Sequence, residues 1–107
     1  LMNDVTFVEA ARVLAQNAIA SSREPEARLL FEFRHVLSRS PKPTELERLK
    51  HSLAYYSDRY QSQPAEAEKL ASIGDAPRPK NMAATDIAAY TAVGSLLFNL
   101  DEAITKE

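Results

Sequence analysis

Glu32 and His35, with two residues between them, form the pattern in this sequence that comes nearest to a catalytic metal site. A carboxylate and an imidazole at this spacing lie on one face of a helix, and di-iron helical bundles combine two such steps with two further glutamates. Only one step is present here, because the second histidine, His51, follows Glu47 by four residues. We therefore expect no metal ligands, and we interpret His35 as a surface or half-buried histidine.

The other common catalytic patterns are absent from the sequence. Ser95 follows Gly94, but it lies in an uncharged helical stretch and not in the Gly-x-Ser-x-Gly turn of a serine hydrolase. No glycine-rich loop is present to hold a phosphate or a dinucleotide. The lack of cysteine excludes disulfides, thiolate metal sites, cysteine nucleophiles and c-type haem attachment within these residues. We expect no catalytic residues and no cofactor in this chain.

The charges do not predict a nucleic-acid partner. The chain has 13 Lys and Arg against 15 Asp and Glu, and the basic residues are scattered among acids. Binding to a polyanion requires an excess of positive charge. The segment RHVLSRSPKPTELERL has the order of a helix-turn-helix, but Glu45 and Glu47 near the start of its second helix would repel phosphates. We therefore expect no nucleic-acid partner.

Composition and hydrophobic periodicity predict one all-α domain, a compact bundle of about five helices. Helix formers are plentiful, glycine occurs only twice, and 45% of the 107 residues are apolar, which is enough for one core. Capping boxes are expected at residues 6–9 and 44–47, and prolines are expected to begin the second and fourth helices. The predicted helices cover about residues 6–21, 25–38, 44–61, 64–74 and 82–98, with an exposed, mobile loop at 75–81.

The third helix has the clearest amphipathic pattern. Glu47, Arg48 and Lys50 are expected to face solvent. Apolar side chains at steps of three and four are expected to form the buried stripe, namely Leu46, Leu49, Leu53, Tyr56 and Tyr60.

The last helix is expected to lie at the centre of the bundle. Residues 87–100 carry no charge and place apolar side chains on all sides of the helix. Gly94 within this run predicts close contact with a neighbouring helix. The run is shorter than the ~20 residues of a membrane-spanning helix, so no membrane span is expected.

Four phrases, in this order, carry a resemblance to a known family. They are NDVTFVEAARVLA, RLLFEFRHVLSRSPKPTELERLK, AEAEKLASIG and AAYTAVGSLLFNLDEAITKE. Together they resemble the C-terminal part of the planctomycete-type surface proteins, domain-of-unknown-function family 1553. The resemblance covers nearly the whole chain, but Ala103 stands where a phenylalanine is common in the family.

The resemblance implies the kind of protein to which this chain belongs and its location, but it implies no activity. Members are large bacterial proteins, usually exported to the periplasm or cell surface, and often with a cytochrome-c-like or carbohydrate-binding-like domain upstream. No catalytic residues are established for the family, so it implies none here. Because Leu1 precedes the first Met, we expect this chain to be a C-terminal fragment of a longer protein, with residues before Phe7 loosely held.

We therefore expect a non-catalytic structural or interaction module whose partners are the upstream domains of the same polypeptide. The alternative is part of an enzyme, polysaccharide-related or haem-coupled, whose active site lies mainly upstream. A cleft lined by strained carboxylates or histidines would favour the enzyme. An exposed apolar patch, expected beside the first helix, would favour the docking module. The oligomeric state stays open.

The segment NLDEAITKE at the end of the chain is predicted to be a structural latch. Asn99 is a residue type suited to a helix end. Leu100 and Ile104 lie four residues apart and are predicted to reach the core together.

The two acids of this latch are predicted to face a cation near the second helix. We expect Arg39 to pair with Asp101 or Glu102, because the prolines after Arg39 fix its position. A partly buried pair of carboxylate and guanidinium is directional, and removing one partner leaves the other without compensation. The alternative is that both acids are simply solvated, since exposed pairs contribute only ~0–1 kcal/mol.

Overall fold

The computed structural model describes residues 4–105 and contains five α-helices over that part of the chain. The predicted all-α architecture is confirmed. No helix in the described range combines the length and hydropathy needed to cross a membrane. The helices are α1 (Val5–Ser21), α2 (Pro25–Leu37), α3 (Pro43–Ser62), α4 (Pro64–Ala71) and α5 (Ala84–Thr105).

Helix α1 begins earlier than the predicted capping box would place it. Asp4 is the N-cap residue, and its Oδ1 accepts a hydrogen bond of 2.8 Å from the backbone N of Thr6. The predicted box at residues 6–9 is therefore wrong, because Thr6 and Glu9 already lie inside the helix. We predicted that the residues before Phe7 are loosely held. Of these, Asp4 is the N-cap and Val5 and Thr6 lie in α1, whereas Leu1, Met2 and Asn3 lie outside the described residues.

Helix α3 also begins one residue before its predicted start. Pro43 is its first residue and Lys42 its N-cap, so Glu45 and not Glu47 takes the third helical position. Glu45 Oε1 accepts a hydrogen bond of 2.8 Å from the backbone N of Lys42. Proline suits the first helical position because it has no N–H to leave unpaired, which explains the shift in register.

Helices α2 and α4 end earlier in the chain than predicted. Helix α2 stops at Leu37, and Ser38 follows in the left-handed conformation with φ 59°, its N–H bonded to the carbonyl of Arg34. Helix α4 stops at Ala71, three residues before Gly74. Gly74 has φ +90° and belongs to the loop that leads into α5.

Helix α5 lies at the centre and contacts each of the other four helices. Its residues join two buried clusters, so the prediction of a central apolar helix is confirmed. The first cluster comprises Val8, Tyr60, Ala67, Leu70, Ala88, Ala89 and Ala92. The second comprises Ala15, Leu29, Phe33, Leu49, Tyr90, Val93 and Leu97.

The predicted stripe on α3 is buried to different degrees along its length. Leu49 and Tyr60 are buried, whereas Leu46, Leu53 and Tyr56 are only partly buried and pack against the two clusters. The charged residues on the opposite face are exposed as predicted, namely Glu47, Arg48 and Lys50.

Candidate functional site

The C-terminal segment is helical, so the predicted latch does not have the predicted backbone. Helix α5 continues to Thr105, and the expectation that it ends near residue 98 with Asn99 at its end is wrong. The reason is local, because no glycine or proline follows Phe98 and residues such as Ala103 favour helix. Asn99 is exposed and lies in the helix interior.

The two apolar residues of the predicted latch do not reach the core. Leu100 is 41% exposed and Ile104 is 53% exposed, so that part of the prediction is wrong. Continuation of the helix explains the result, because residues four apart stay on one face and this face extends one turn further back to Leu96, which is 39% exposed. Leu96, Leu100 and Ile104 form what we call the α5 stripe.

Arg39, the cation chosen for the latch, is held by a different carboxylate. Its Nη1 and Nη2 donate to Glu45 Oε1 at 2.9 Å and Oε2 at 3.0 Å, a bidentate pair between the end of α2 and the start of α3. The guanidinium also lies over the ring of Phe33, 5.0 Å from its centroid. The hydrogen bonds from Arg39 and from the backbone of Lys42 lower the pKa of Glu45 to about 2.

Asp101 and Glu102 lie on the last turns of α5 and are both partly buried. Each makes an interaction within the molecule. An ion pair between Arg39 and either acid stays a prediction. In such a pair, Arg39 would also keep its contact with Glu45 at the α2–α3 connection.

Two further exposed apolar side chains lie at the start of α1. Val5 is 58% exposed and Phe7 is 43% exposed, whereas the next residue, Val8, is buried. This is the region where we expected an exposed apolar patch if the chain is a docking module. Val5 and Phe7 are thus, like the members of the α5 stripe, large apolar side chains exposed on the surface.

The Glu-x-x-His step on α2 is divided between the interior and the surface. Glu32 is fully buried, whereas His35 is exposed and stacks on the ring of Phe31 at 5.7 Å. Within residues 4–105, no group of three or more His, Cys, Asp or Glu side chains is arranged to hold a metal. The geometry therefore does not bring together the ligands that a di-iron site needs.

Glu32 itself is the most unusual group in the core. Its side chain has no exposed surface, and neither carboxyl oxygen has a hydrogen-bond partner. Burial raises the pKa of Glu32 well above its ordinary value of 4.5. A Cβ atom on Gly94 of α5 would lie 3.2 Å from Glu32 Oε2, so the missing side chain of Gly94 provides the space for this carboxyl group. The predicted close helix contact at Gly94 is present.

Arg12, which was not among the predicted site residues, forms a buried polar clamp. The residue is 1% exposed, and its guanidinium binds the loop before α5. Arg12 Nε donates to the carbonyl of Ile73 at 2.8 Å, and Nη2 donates to the carbonyl of Ala76 at 2.7 Å. Nη1 donates to Gln16 Oε1 at 2.7 Å, and Gln16 Nε2 donates in turn to the carbonyl of Pro77 at 3.2 Å.

Glu9 holds the same loop from one turn further back on α1. Its Oε2 accepts a hydrogen bond of 2.6 Å from the backbone N of Ala76, and its carboxyl group lies directly against Gly74. The sequence contains a signal for this clamp, because Glu9, Arg12 and Gln16 follow one another at steps of three and four and so share a face of α1. The loop that we predicted to be exposed and mobile at residues 75–81 is tied to α1 in its first part, through Ala76 and Pro77.

The surface grooves do not contain the buried carboxylate. One groove of about 490 Å³ is formed by the α1–α2 turn and α2, with Arg34 and His35 in its wall. Another, of about 420 Å³, lies between α2 and α3 and is lined by Leu29, Leu53 and the exposed pair of Lys50 and Glu26. The first groove also has Ser21, Ser22 and His35 in its lining, but the two serine hydroxyls are engaged with the backbone. Ser21 Oγ donates to the carbonyl of Ala18, and Ser22 Oγ accepts from the backbone N of Glu24.

A scan against protein-family models found no match for this chain, and searches of the curated proteins and of the solved structures also found none.

Proposed function

We propose that this chain is a non-catalytic helical interaction module at the C-terminus of a large exported bacterial protein. Its partner is an upstream domain of the same polypeptide. The setting, including export to the periplasm or cell surface, rests on the resemblance of the four sequence phrases. The role as a docking module rests on the surface of the molecule.

The observation that carries the docking role is the α5 stripe. Leu96, Leu100 and Ile104 repeat every four residues and are 39%, 41% and 53% exposed. Three large aliphatic side chains in one row are the pattern by which an amphipathic helix anchors itself in an apolar groove. Isolated apolar residues on a surface need no explanation, but a row on one helical face favours an interaction site.

The helix that carries the α5 stripe is closely packed before the stripe begins. The preceding part of α5 is packed on all sides, with Ile87, Ala88 and Val93 fully buried. The last turns of the helix therefore present the stripe from a fixed core, which reduces the entropy lost on binding. Val5 and Phe7 at the start of α1 supply further exposed apolar surface.

The test uses this chain and, as a separate polypeptide, the region that precedes it in its natural gene. Binding is measured by calorimetry for the original chain and for a double variant, Leu100→Glu with Ile104→Glu. We expect the double variant to bind at least about tenfold more weakly, because charges would enter an apolar contact. Tyr55→Glu is the matched control, since Tyr55 is 60% exposed on α3, and it should leave the affinity unchanged within about twofold.

Three results would overturn the proposal. The natural gene could encode no preceding domain, the two polypeptides could fail to bind, or the double variant could bind as well as the control. Sedimentation of the chain alone tests for a dimer. If the chain dimerises and the double variant abolishes the dimer, the stripe joins two copies of this chain, which would also contradict the proposal.

A further inference from the structure

The buried carboxyl group of Glu32 has no role in the docking surface described above. It lies on α2 between α1 and α5, next to Gly94, and its two oxygens have no hydrogen-bond partner. A buried polar group without a partner is uncommon in folded proteins, and an ionised carboxylate in that position is far less stable than a neutral acid.

We propose that Glu32 enters the folded bundle as a neutral carboxylic acid and acts as a proton-dependent lock between α2 and α5. In the neutral form, the group fills the space left by the missing side chain of Gly94. In the ionised form, it is a buried charge without compensation, and α2 must move away from α5 to let water reach it.

The neighbours of Glu32 on α5 and α2 do not supply a compensating cation. On α5, the titratable neighbour is Tyr90, which is 4% exposed. Burial is the main cause that raises the pKa of the Tyr90 phenol, and a hydrogen bond with Arg28 and the positive charge of Arg28 oppose the rise. Arg28 belongs to α2, but its guanidinium lies over the Tyr90 ring at 5.5 Å, and its Nε donates to the carbonyl of Ser22.

The cation on α1 is committed to the loop before α5. Leu14 and the carbonyl of Ala11 are the α1 groups that border Gly94. Arg12 directs its guanidinium to the carbonyls of Ile73 and Ala76 and to Gln16.

The charged groups of α3 that face α2 are paired at the surface. Glu45 binds Arg39, and Lys50 lies 2.7 Å from Glu26 and 3.5 Å from Glu47. Burial is accordingly the cause that raises the pKa of Glu32.

The direction of the pH effect follows from linkage. The folded state holds the Glu32 proton more tightly than the unfolded chain, whose glutamate has the ordinary pKa of 4.5. The stabilisation is therefore complete below that pH and is lost as pH rises through the folded-state pKa. Within this window, the unfolding equilibrium constant rises by at most about tenfold for each pH unit, because one proton is involved.

The experiment compares the original chain with Glu32→Gln by urea unfolding at pH 5, 6, 7 and 8. We expect the unfolding constant of the original chain to rise with pH relative to that of Glu32→Gln, which retains the shape of the neutral acid and does not titrate. Glu47→Gln is the matched control, since Glu47 is exposed on α3, and it should follow the original chain. Hydrogen exchange, corrected for its intrinsic pH dependence, should increase with pH in α2 and α5 of the original chain and of Glu47→Gln, but not of Glu32→Gln.

A second measurement does not depend on the folding of any variant. Carbon NMR of the glutamate side-chain carboxyls in the folded original chain should show one group that loses its proton at a clearly higher pH than all the others. If every glutamate carboxyl in the folded protein titrates at or below the ordinary pKa of 4.5, the proposal is wrong. An equal pH dependence of unfolding in the original chain and in Glu32→Gln would also overturn it.

Discussion

Gly94 on α5 and Glu32 on α2 form a contact so close that a Cβ atom on the glycine would stand 3.2 Å from Glu32 Oε2. Two groups of α1, Leu14 Cδ2 at 3.5 Å and the Ala11 carbonyl at 3.6 Å, would also touch this Cβ. A glycine inside a helix is unfavourable by itself, so its presence here is explained by the space that it leaves for a fully buried carboxyl group.

The first prediction concerns this contact. Gly94→Ala should gain ~1 kcal/mol of helix propensity but lose ~1–3 kcal/mol through overpacking, because Glu32 is buried and cannot move aside freely. We expect a net loss of about 1 kcal/mol in the free energy of unfolding, measured with urea.

The control is the same substitution in a Glu32→Ala background. There the carboxyl group is gone, and Gly94→Ala should stabilise the protein by about 1 kcal/mol through helix propensity. If the alanine has the same effect in both backgrounds, the two residues are not coupled and the close contact does not constrain position 94.

The second prediction concerns the clamp formed by Arg12. Arg12→Leu leaves the carbonyls of Ile73 and Ala76 and the amide of Gln16 without their donor, so we expect a loss of ~2–4 kcal/mol in the free energy of unfolding. Arg23→Leu, at an exposed position in the α1–α2 turn, is the matched control and should change it by less than about 0.5 kcal/mol. Equal effects of the two substitutions would contradict a structural role for the clamp.

The third prediction concerns the loop residue that faces Glu9. Gly74 has φ +90°, and a Cβ atom there would clash with the carboxyl group of Glu9. Gly74→Ala should therefore cost more than the ~1–2 kcal/mol of backbone strain, and the excess should disappear in a Glu9→Ala background. Thermal unfolding of the two single variants and the double variant separates the cost of the backbone strain from the cost of the clash with Glu9. A harmless Gly74→Ala would show that the loop adopts another conformation.

Local signals predicted most of the fold, and long-range contacts account for what they missed. Pro25 and Pro64 begin α2 and α4 as predicted, because proline acts on the neighbouring backbone. The other three helices begin within two residues of their predicted starts. The end of α5 was missed because no residue after Phe98 stops a helix. The Arg12 clamp joins groups 61 and 64 positions apart, and no local pattern specifies which carbonyls a guanidinium will meet.

The candidate site shows the same difference between local signals, which the sequence contains, and long-range contacts, which it does not specify. The sequence identified Glu32 through its spacing to His35, but the burial of one and the exposure of the other depend on which face of α2 meets α5. Leu100 and Ile104 were assigned to the core from their four-residue spacing. That spacing only places two residues on one face and does not determine what the face contacts.

The fourth prediction concerns acid pH. The pKa of Glu45 is lowered to about 2 by Arg39 and by the Lys42 backbone, so its stabilising contribution is present above pH 4.5 and is lost as pH falls through about 2. In an NMR titration between pH 5 and 3, Glu45 should stay ionised in the original chain. Arg39→Ala should move its pKa up towards 4.5, whereas Arg48→Ala, an exposed arginine on α3, should not. A Glu45 that titrates normally in the original chain would show that the pair does not persist in solution.

The last prediction compares two leucines that the sequence alone assigned to the same core. Leu49 on α3 is 7% exposed and packs in the second buried cluster, whereas Leu100 on α5 is 41% exposed. Leu49→Ala should lower the free energy of unfolding by ~2–4 kcal/mol, because it leaves a cavity among packed side chains. Leu100→Ala should change it by less than about 0.5 kcal/mol, because little buried surface is lost and alanine favours the helix. Urea unfolding of the two variants under identical conditions provides the comparison, and the chemical change is the same in both. If Leu100→Ala is as destabilising as Leu49→Ala, then Leu100 is anchored in the core, as the latch prediction required. The α5 stripe would then not be a free docking surface.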